Sequence, residues 1–341
     1  MMDEACSYFH PERRAEPEVE GFGAKMKQLS FDELTDQMMN LYRERKYADA
    51  LQVVEQNTDR FPEHLARTTF WKMCLLSLCS RSNDVLSVFQ KGLDAGLWWA
   101  ESQFRDTDLD AVRDLPGFKL LATISEEKYQ QARTHIERDQ TVLLPDKSVS
   151  DLYPLLIALH GGAGNKDSNL EYWKIAPQKG WLVLSPQSTQ PLYSGSYSWM
   201  EPEQALADLH FYSEQTLKDH PIDQQRVVIA GFSQGSGMAI YAALSGKMNV
   251  RGFIGIGTYW ADPESLRLLA QPARQTKPIR GYFIVGEKDQ TLNKTREIQK
   301  VLNENNIQFD EEVHPDLAHE FPADFESSFD KAIDFIFKEH E

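Results

Sequence analysis

Val227-Val228-Ile229-Ala230-Gly231-Phe232-Ser233-Gln234-Gly235-Ser236 changes character at its middle. The apolar, β-branched run up to Ala230 fits a buried strand. From Met238 the chain reads Met-Ala-Ile-Tyr-Ala-Ala-Leu to Leu244, a run of good helix formers. Strand, tight turn and helix are joined through Gly-x-Ser-x-Gly, with Ser233 at the apex. Small residues two before and two after the serine let strand and helix approach closely around a strained backbone position. The start of the new helix aims backbone N–H groups at negative charge forming beside Ser233. The pentapeptide alone decides little, because with Gly and Ser each near ~7% of residues about 0.1 chance matches arise in a chain of this length. Its surroundings must carry the reading.

Working outward, strand-like apolar runs alternate with helical ones. The pattern predicts strands at 141–145, 153–159, 181–185, 226–230, 251–256, 280–285 and 307–313. It predicts helices at 204–218, 291–304 and from about 324 to the end. This rhythm gives the α/β class, a mostly parallel sheet with helices on both faces. In such sheets ligands collect at the carboxyl ends of the strands, and several of those ends are chemically equipped. The strand at 153–159 runs into His160-Gly161-Gly162-Ala163-Gly164-Asn165. No Lys-Ser/Thr follows, so this is not a phosphate-cradling P-loop. Its backbone N–H groups instead suit a developing oxyanion. The donors are assigned to Gly162 and to Gln234, the residue after Ser233.

The strand at 280–285 ends in Gly286-Glu287-Lys288-Asp289, where Asp289, with Glu287 as its rival, can orient an imidazole. After the last strand comes His314-Pro-Asp-Leu-Ala-His319-Glu-Phe-Pro322. His319, in the loop before the final helix, is the candidate general base, and His314 reads as a polar strand end. Trp199 in Tyr197-Ser198-Trp199-Met200 and Gly161 are expected to border a substrate. For Trp199 the competing and favoured reading is a buried aromatic, since tryptophan is highly buried on average.

LIALHGGAGN, VVIAGFSQGSGMA, VGEKD and HEFP occur in the order Ser233, Asp289, His319. With these motifs, residues 138–341 resemble an α/β-hydrolase of the carboxylesterase/phospholipase and dienelactone-hydrolase-like group. The resemblance implies Ser233 as nucleophile, Asp289 as orienting acid and His319 as base. It implies hydrolysis of esters or thioesters of a small-molecule or acyl substrate through an acyl-enzyme, with no cofactor and no metal. Dienelactone hydrolases proper carry cysteine where this chain has Ser233, which argues against their lactone chemistry. Two other readings are a non-catalytic adaptor and a peptidase of the prolyl-oligopeptidase type, although the latter brings a β-propeller and residues 31–123 lack a strand-rich pattern.

The chain has 341 residues, room for two domains. Residues 26–123 read as an all-α module. From Phe31, a 34-residue unit with Leu34, Leu41, Ala50, Val54 and Pro62 resembles a tetratricopeptide repeat, and 65–98 form a weaker second unit. Such a module offers a groove for a protein partner, or it caps the neighbouring domain. Residues 1–25 read as a mobile tail, with Met26 an alternative start, and 124–137 as a charged connector. Asp106-Thr-Asp108-Leu-Asp110 begins like a calcium loop. Ala111 and Gly117 fall where that loop needs Gly and Glu, so a solvated turn is expected.

The net charge of −16 argues against nucleic acid or an anionic membrane as partner. No apolar run is long enough to span a bilayer, and the charged N-terminus does not read as a secretory signal. Cys6, Cys74 and Cys79 make no disulfide framework and fit reduced thiols, hence a cytoplasmic setting.

Overall fold

The computed structural model describes residues 29–145, 151–271 and 278–338. The tail expected at 1–25, Met26 and Cys6 lie outside the described residues. The chain forms two compact units. One runs to Thr134 and takes in Leu192–Gly195, and the other comprises His135–Pro191 and the chain from Ser196.

The first unit is helical: α1 (Phe31–Arg43), α2 (Tyr47–Asn57), α3 (Leu65–Leu78), α4 (Ser82–Asp94), α5 (Asp110–Arg113) and α6 (Pro116–Thr134). Ser30-x-x-Glu33 starts α1 as a capping box. Ser30 Oγ accepts the Glu33 N–H at 3.1 Å, and the Glu33 carboxylate accepts the Ser30 N–H at 2.8 Å. The two helix pairs begin at Phe31 and Leu65, 34 residues apart (65 − 31). Phe89 of α4 packs on Trp99, Phe104 and Phe118 with ring centroids 5.7, 5.1 and 5.3 Å away. The segment after α4, together with α6, therefore completes the core of this unit. Asp106 and Asp108 depart from the expected solvated turn, for both are buried. Asp106 Oδ1 caps a 3₁₀ turn by accepting the Asp108 N–H, and Asp108 Oδ1 accepts the Tyr42 hydroxyl.

The second unit holds a seven-stranded sheet. Its strands are β1 (Gln140–Leu143), β2 (Tyr153–Leu159), β3 (Leu182–Pro186), β6 (Ile222–Phe232), β7 (Gly252–Ile256), β8 (Arg280–Gly286) and β9 (Gln308–His314). They lie in the order β1-β3-β2-β6-β7-β8-β9. All pairs are parallel except β1 with β3. Two short strands that the sequence pattern did not predict, β4 (Gln190–Tyr193) and β5 (Ser196–Ser198), pair with each other.

Side-chain alternation explains the two covered faces. Leu155, Ile157, Leu159, Val227, Ile229, Phe253 and Phe283 point to one side. There they meet Leu206, Leu209 and Tyr212 of α9 (Pro202–Asp219), Met238 and Ile240 of α10 (Gln234–Leu244), and Ile298 and Leu302 of α12 (Leu292–Glu304). The intervening residues Leu156, Ala158, Val228, Ala230, Ile254 and Ile284 point to the other. They pack on Trp173 of α7 (Leu170–Trp173) and on Phe325, Phe329 and Ile336 of α13 (Phe325–Phe337). Strands buried on both faces read as continuous apolar runs, which is why they were legible. Helices α8 (Ile175–Gln178) and α11 (Ser265–Ala270) complete the set. Among the described residues no helix is long and apolar enough to cross a membrane.

Candidate active site

The elbow forms as its small residues require. Ser233 sits between β6 and α10 at φ 54, ψ −122, a conformation that persists only where neighbours over-determine it. They do so here. Its N–H donates to Ile256 O at 2.9 Å, and its carbonyl accepts from the N–H groups of Ser236, Gly237 and Tyr259. A Cβ on Gly235 would lie 2.2 Å from His160 O and 2.7 Å from Leu159 O, so only glycine fits where the helix crosses the end of β2. Among the described residues Ser233 Oγ has no hydrogen-bond partner.

Asp289 and His319, the candidate acid and base, follow the ends of β8 and β9. His319 Nδ1 lies 2.9 Å from Asp289 Oδ2 and 3.0 Å from Oδ1. Asp289 Oδ1 also accepts the N–H and the hydroxyl of Thr291, each at 2.7 Å. With a carboxylate at Nδ1, the proton belongs on that nitrogen, leaving Nε2 basic. Glu287, the rival carboxylate, is exposed, and His314 ends β9 beside Glu312 at 3.6 Å. The two loops are registered by main-chain bonds, Glu287 N–H to His314 O and Lys288 N–H to Leu317 O, each 3.0 Å.

The imidazole packs on Phe232, the residue before Ser233, with centroids 4.7 Å apart. It also fills the space beside Gly257, where a Cβ would lie 3.0 Å from His319 Nδ1 and 3.0 Å from Asp289 Oδ2. Gly257 takes φ +50 and directly follows Ile256, the residue that holds the Ser233 N–H. Ser233 is 0%, His319 3% and Asp289 6% exposed. Carboxylate, imidazole and elbow are thus assembled out of solvent, where their electrostatic coupling is strong.

The glycine loop after β2 turns at Gly161–Gly164, closed by Gly164 N–H to Gly161 O at 3.1 Å, with Ala163 at φ 59. A Cβ on Gly161 would lie 3.6 Å from Ser233 Cβ, which places this loop against Ser233. Gly162 is buried within the turn, and Gln234 is the first residue of α10.

His160 precedes the turn. Its Nε2 accepts the Ser188 N–H at 3.4 Å, so Nδ1 carries the proton and donates to Gly161 O at 2.8 Å. Burial pushes this imidazole down to about 4, from an ordinary 6.5. Between those values the unfolded chain binds a proton that the folded chain refuses. Stability is therefore expected to fall as pH drops through this window and to level off below it. The loss is roughly 3 kcal/mol at its acid end. It is measured as a melting temperature that declines from pH 7 to 4, with a shallower slope in His160→Asn; equal slopes would contradict the assignment.

Trp199 is 0% exposed, in line with the favoured reading of a buried aromatic. Its indole N–H donates to His160 O at 2.8 Å, and its main-chain N–H donates to Gln234 Oε1 at 2.9 Å. Thr291 was missed altogether, although Asp-x-Thr is a recognisable side-chain-to-backbone turn pattern. Cys74, Asp106 and Asp108, distant in sequence, bring ligand-type atoms within 4.8 Å of one another in the helical unit. Burial raises the Asp106 carboxyl above its ordinary range.

Comparison with known proteins adds the following. Residues 30–133 match the family model described as A/B hydrolase-like, N-terminal domain. Residues 203–340 match the phospholipase/carboxylesterase family model, a stretch containing Ser233, Asp289 and His319 but not the glycine loop. No curated protein sequence matches the chain. An uncharacterized protein from Bacillus cereus ATCC 10987 has a similar fold, with TM-score 0.51 and 23% identity over 90% of this chain and 99% of that one. Esterase PE8 aligns at TM-score 0.47 and 17% identity, over 57% of this chain and 96% of its own. Zea mays acyl-protein thioesterase 2 aligns at TM-score 0.45 and 16% identity, over 57% and 96%.

Proposed function

We propose, from the match of residues 203–340 to the phospholipase/carboxylesterase family model, that this chain is a serine hydrolase cleaving carboxylic esters or thioesters of a small-molecule or acyl substrate. Ser233, His319 and Asp289 carry the reaction. The observation that supports it most is the buried Asp289–His319 pair packed against the residue preceding a serine at φ 54.

The chemistry follows from the parts. His319 Nε2 takes the Ser233 hydroxyl proton as Oγ attacks the acyl carbon, and the carbonyl electron pair moves onto oxygen. The N–H groups of Gln234 and Gly162 hold that oxyanion. Collapse breaks the bond to the leaving oxygen or sulfur, which takes the proton from His319, and the acyl group stays on Ser233. Water then attacks in the same way, giving its proton to His319. The free acid departs and the proton returns to Ser233. Asp289, fixed by Thr291, keeps the imidazole in the required tautomer and stabilises its charged form.

A fluorophosphonate probe tests this reading. Wild type is expected to take one label, mapped by peptide mass spectrometry to the Gly231–Ser236 stretch, and Ser233→Ala none. An unlabelled wild type, or a label that survives Ser233→Ala, would overturn the proposal. A ladder of aryl esters and acyl thioesters, with Ser233→Ala as blank, then reads acyl length and the ester or thioester preference.

A further inference from the structure

Resting on the serine-hydrolase reading, we propose that Trp199 is a positioning residue that braces the glycine loop against the elbow and so fixes the spacing of the two oxyanion donors. The segment 196–199 is bonded to both parts. Tyr197 N–H donates to Gly164 O at 2.8 Å, and the Trp199 indole N–H donates to His160 O at 2.8 Å. The turn carrying Gly161 and Gly162 is therefore held at each end by the same short stretch. Trp199 N–H donates to Gln234 Oε1 at 2.9 Å, and Gln234 is the residue whose own N–H is the second donor. Ser188 Oγ donates to Ser198 O at 2.5 Å, pinning the stretch between the two contacts.

An indole suits this task. Its ring packs against the His160 ring at a tilt of 34°, with centroids 4.8 Å apart, while its one polar atom reaches the His160 carbonyl in a fully covered site. A glycine-rich turn has little stiffness of its own, whereas an oxyanion donor acts only when it is already in place. Displacement by about 1 Å costs on the order of 10²-fold in rate. Phenylalanine at 199 keeps an aromatic ring beside His160 and removes the N–H, leaving the buried His160 carbonyl without that partner.

The test compares Trp199→Phe, Gln234→Met and Gln234→Glu with wild type. It measures kcat and KM on one aryl ester, Ki for an alkyl trifluoromethyl ketone that mimics the tetrahedral oxyanion, and Ki for a non-reacting ether analogue of the ester. Assays run well below the lowest melting temperature of the set. Trp199→Phe is expected to lower kcat by about 10- to 100-fold, with KM and ether affinity within about twofold. The ketone should weaken by the same factor as kcat/KM. Gln234→Met should behave alike. Gln234→Glu, which keeps an acceptor for the Trp199 N–H but sets a carboxylate near the oxyanion, should lose less than Gln234→Met without matching wild type. The double variant should be no slower than the slower single one. If Trp199→Phe does not fold, the Gln234 pair carries the same comparison. Full kcat in the variants, or unchanged ketone affinity beside lost kcat, overturns the brace while a labelled wild type leaves Ser233 in its role. A wild type that takes no fluorophosphonate sinks the hydrolase reading and the brace together.

Discussion

Ser233→Ala is expected to lower kcat for ester hydrolysis by about 10⁴- to 10⁶-fold while the melting temperature stays within a few degrees of wild type. The two halves of that expectation have separate grounds. In the proposed mechanism the Ser233 hydroxyl oxygen is the atom that bonds to the acyl carbon, and alanine supplies no substitute. For stability, Ser233 Oγ has no hydrogen-bond partner among the described residues. The strained φ 54 is held by main-chain partners that alanine retains. Steady-state kinetics beside a thermal melt check both halves. Activity near wild type would remove Ser233 from the reaction, and a collapsed melt would mean that the hydroxyl supports the fold.

Gly235→Ala is expected to have the opposite signature, a stability loss of at least about 4 kcal/mol, or a fall of about 8–16 °C in melting temperature for a unit of this size. The new methyl would lie 2.2 Å from His160 O and 2.7 Å from Leu159 O. Both are backbone atoms at the end of β2, where Ala158 and Leu159 pair with Ala230 and Gly231 of β6. Relief therefore requires α10 to lift away from the sheet, which also carries Ser233 out of its turn. Activity should fall even in whatever fraction folds. A melt within about 2 °C of wild type would show that the helix start has room this geometry denies it.

Legibility in the sequence tracked how local the signal was. The buried strands appeared as apolar runs, and their observed bounds fall close to those expected, since both faces of each strand are covered. The elbow was readable because close approach restricts residue choice at Gly231 and Gly235, and the structure shows backbone within 2.3 Å of a Cβ at each. Asp289 and His319 stood out by lying after strand ends, and their 2.9 Å contact is the long-range fact that no spacing could supply. The strand expected at 141–145 is found as β1, but neither its antiparallel direction nor the β4–β5 pair was readable, because edge and ribbon strands of three or four residues carry almost no period. Asp106 and Asp108 were misjudged as solvated because charge alone suggests exposure, whereas their partners, such as Tyr42, are distant in sequence. Trp199 was readable as buried, but its two hydrogen bonds join segments 39 and 35 positions away.

The most direct test of the central claim is the intact mass of the protein quenched in acid during turnover of a p-nitrophenyl ester. The account predicts a species heavier by one acyl group, located on the peptide containing Ser233, that forms with the burst of p-nitrophenol and decays with the steady-state rate. Hydrolysis that proceeds with no acylated species, or with the acyl group on another residue while Ser233→Ala turns over normally, would contradict it.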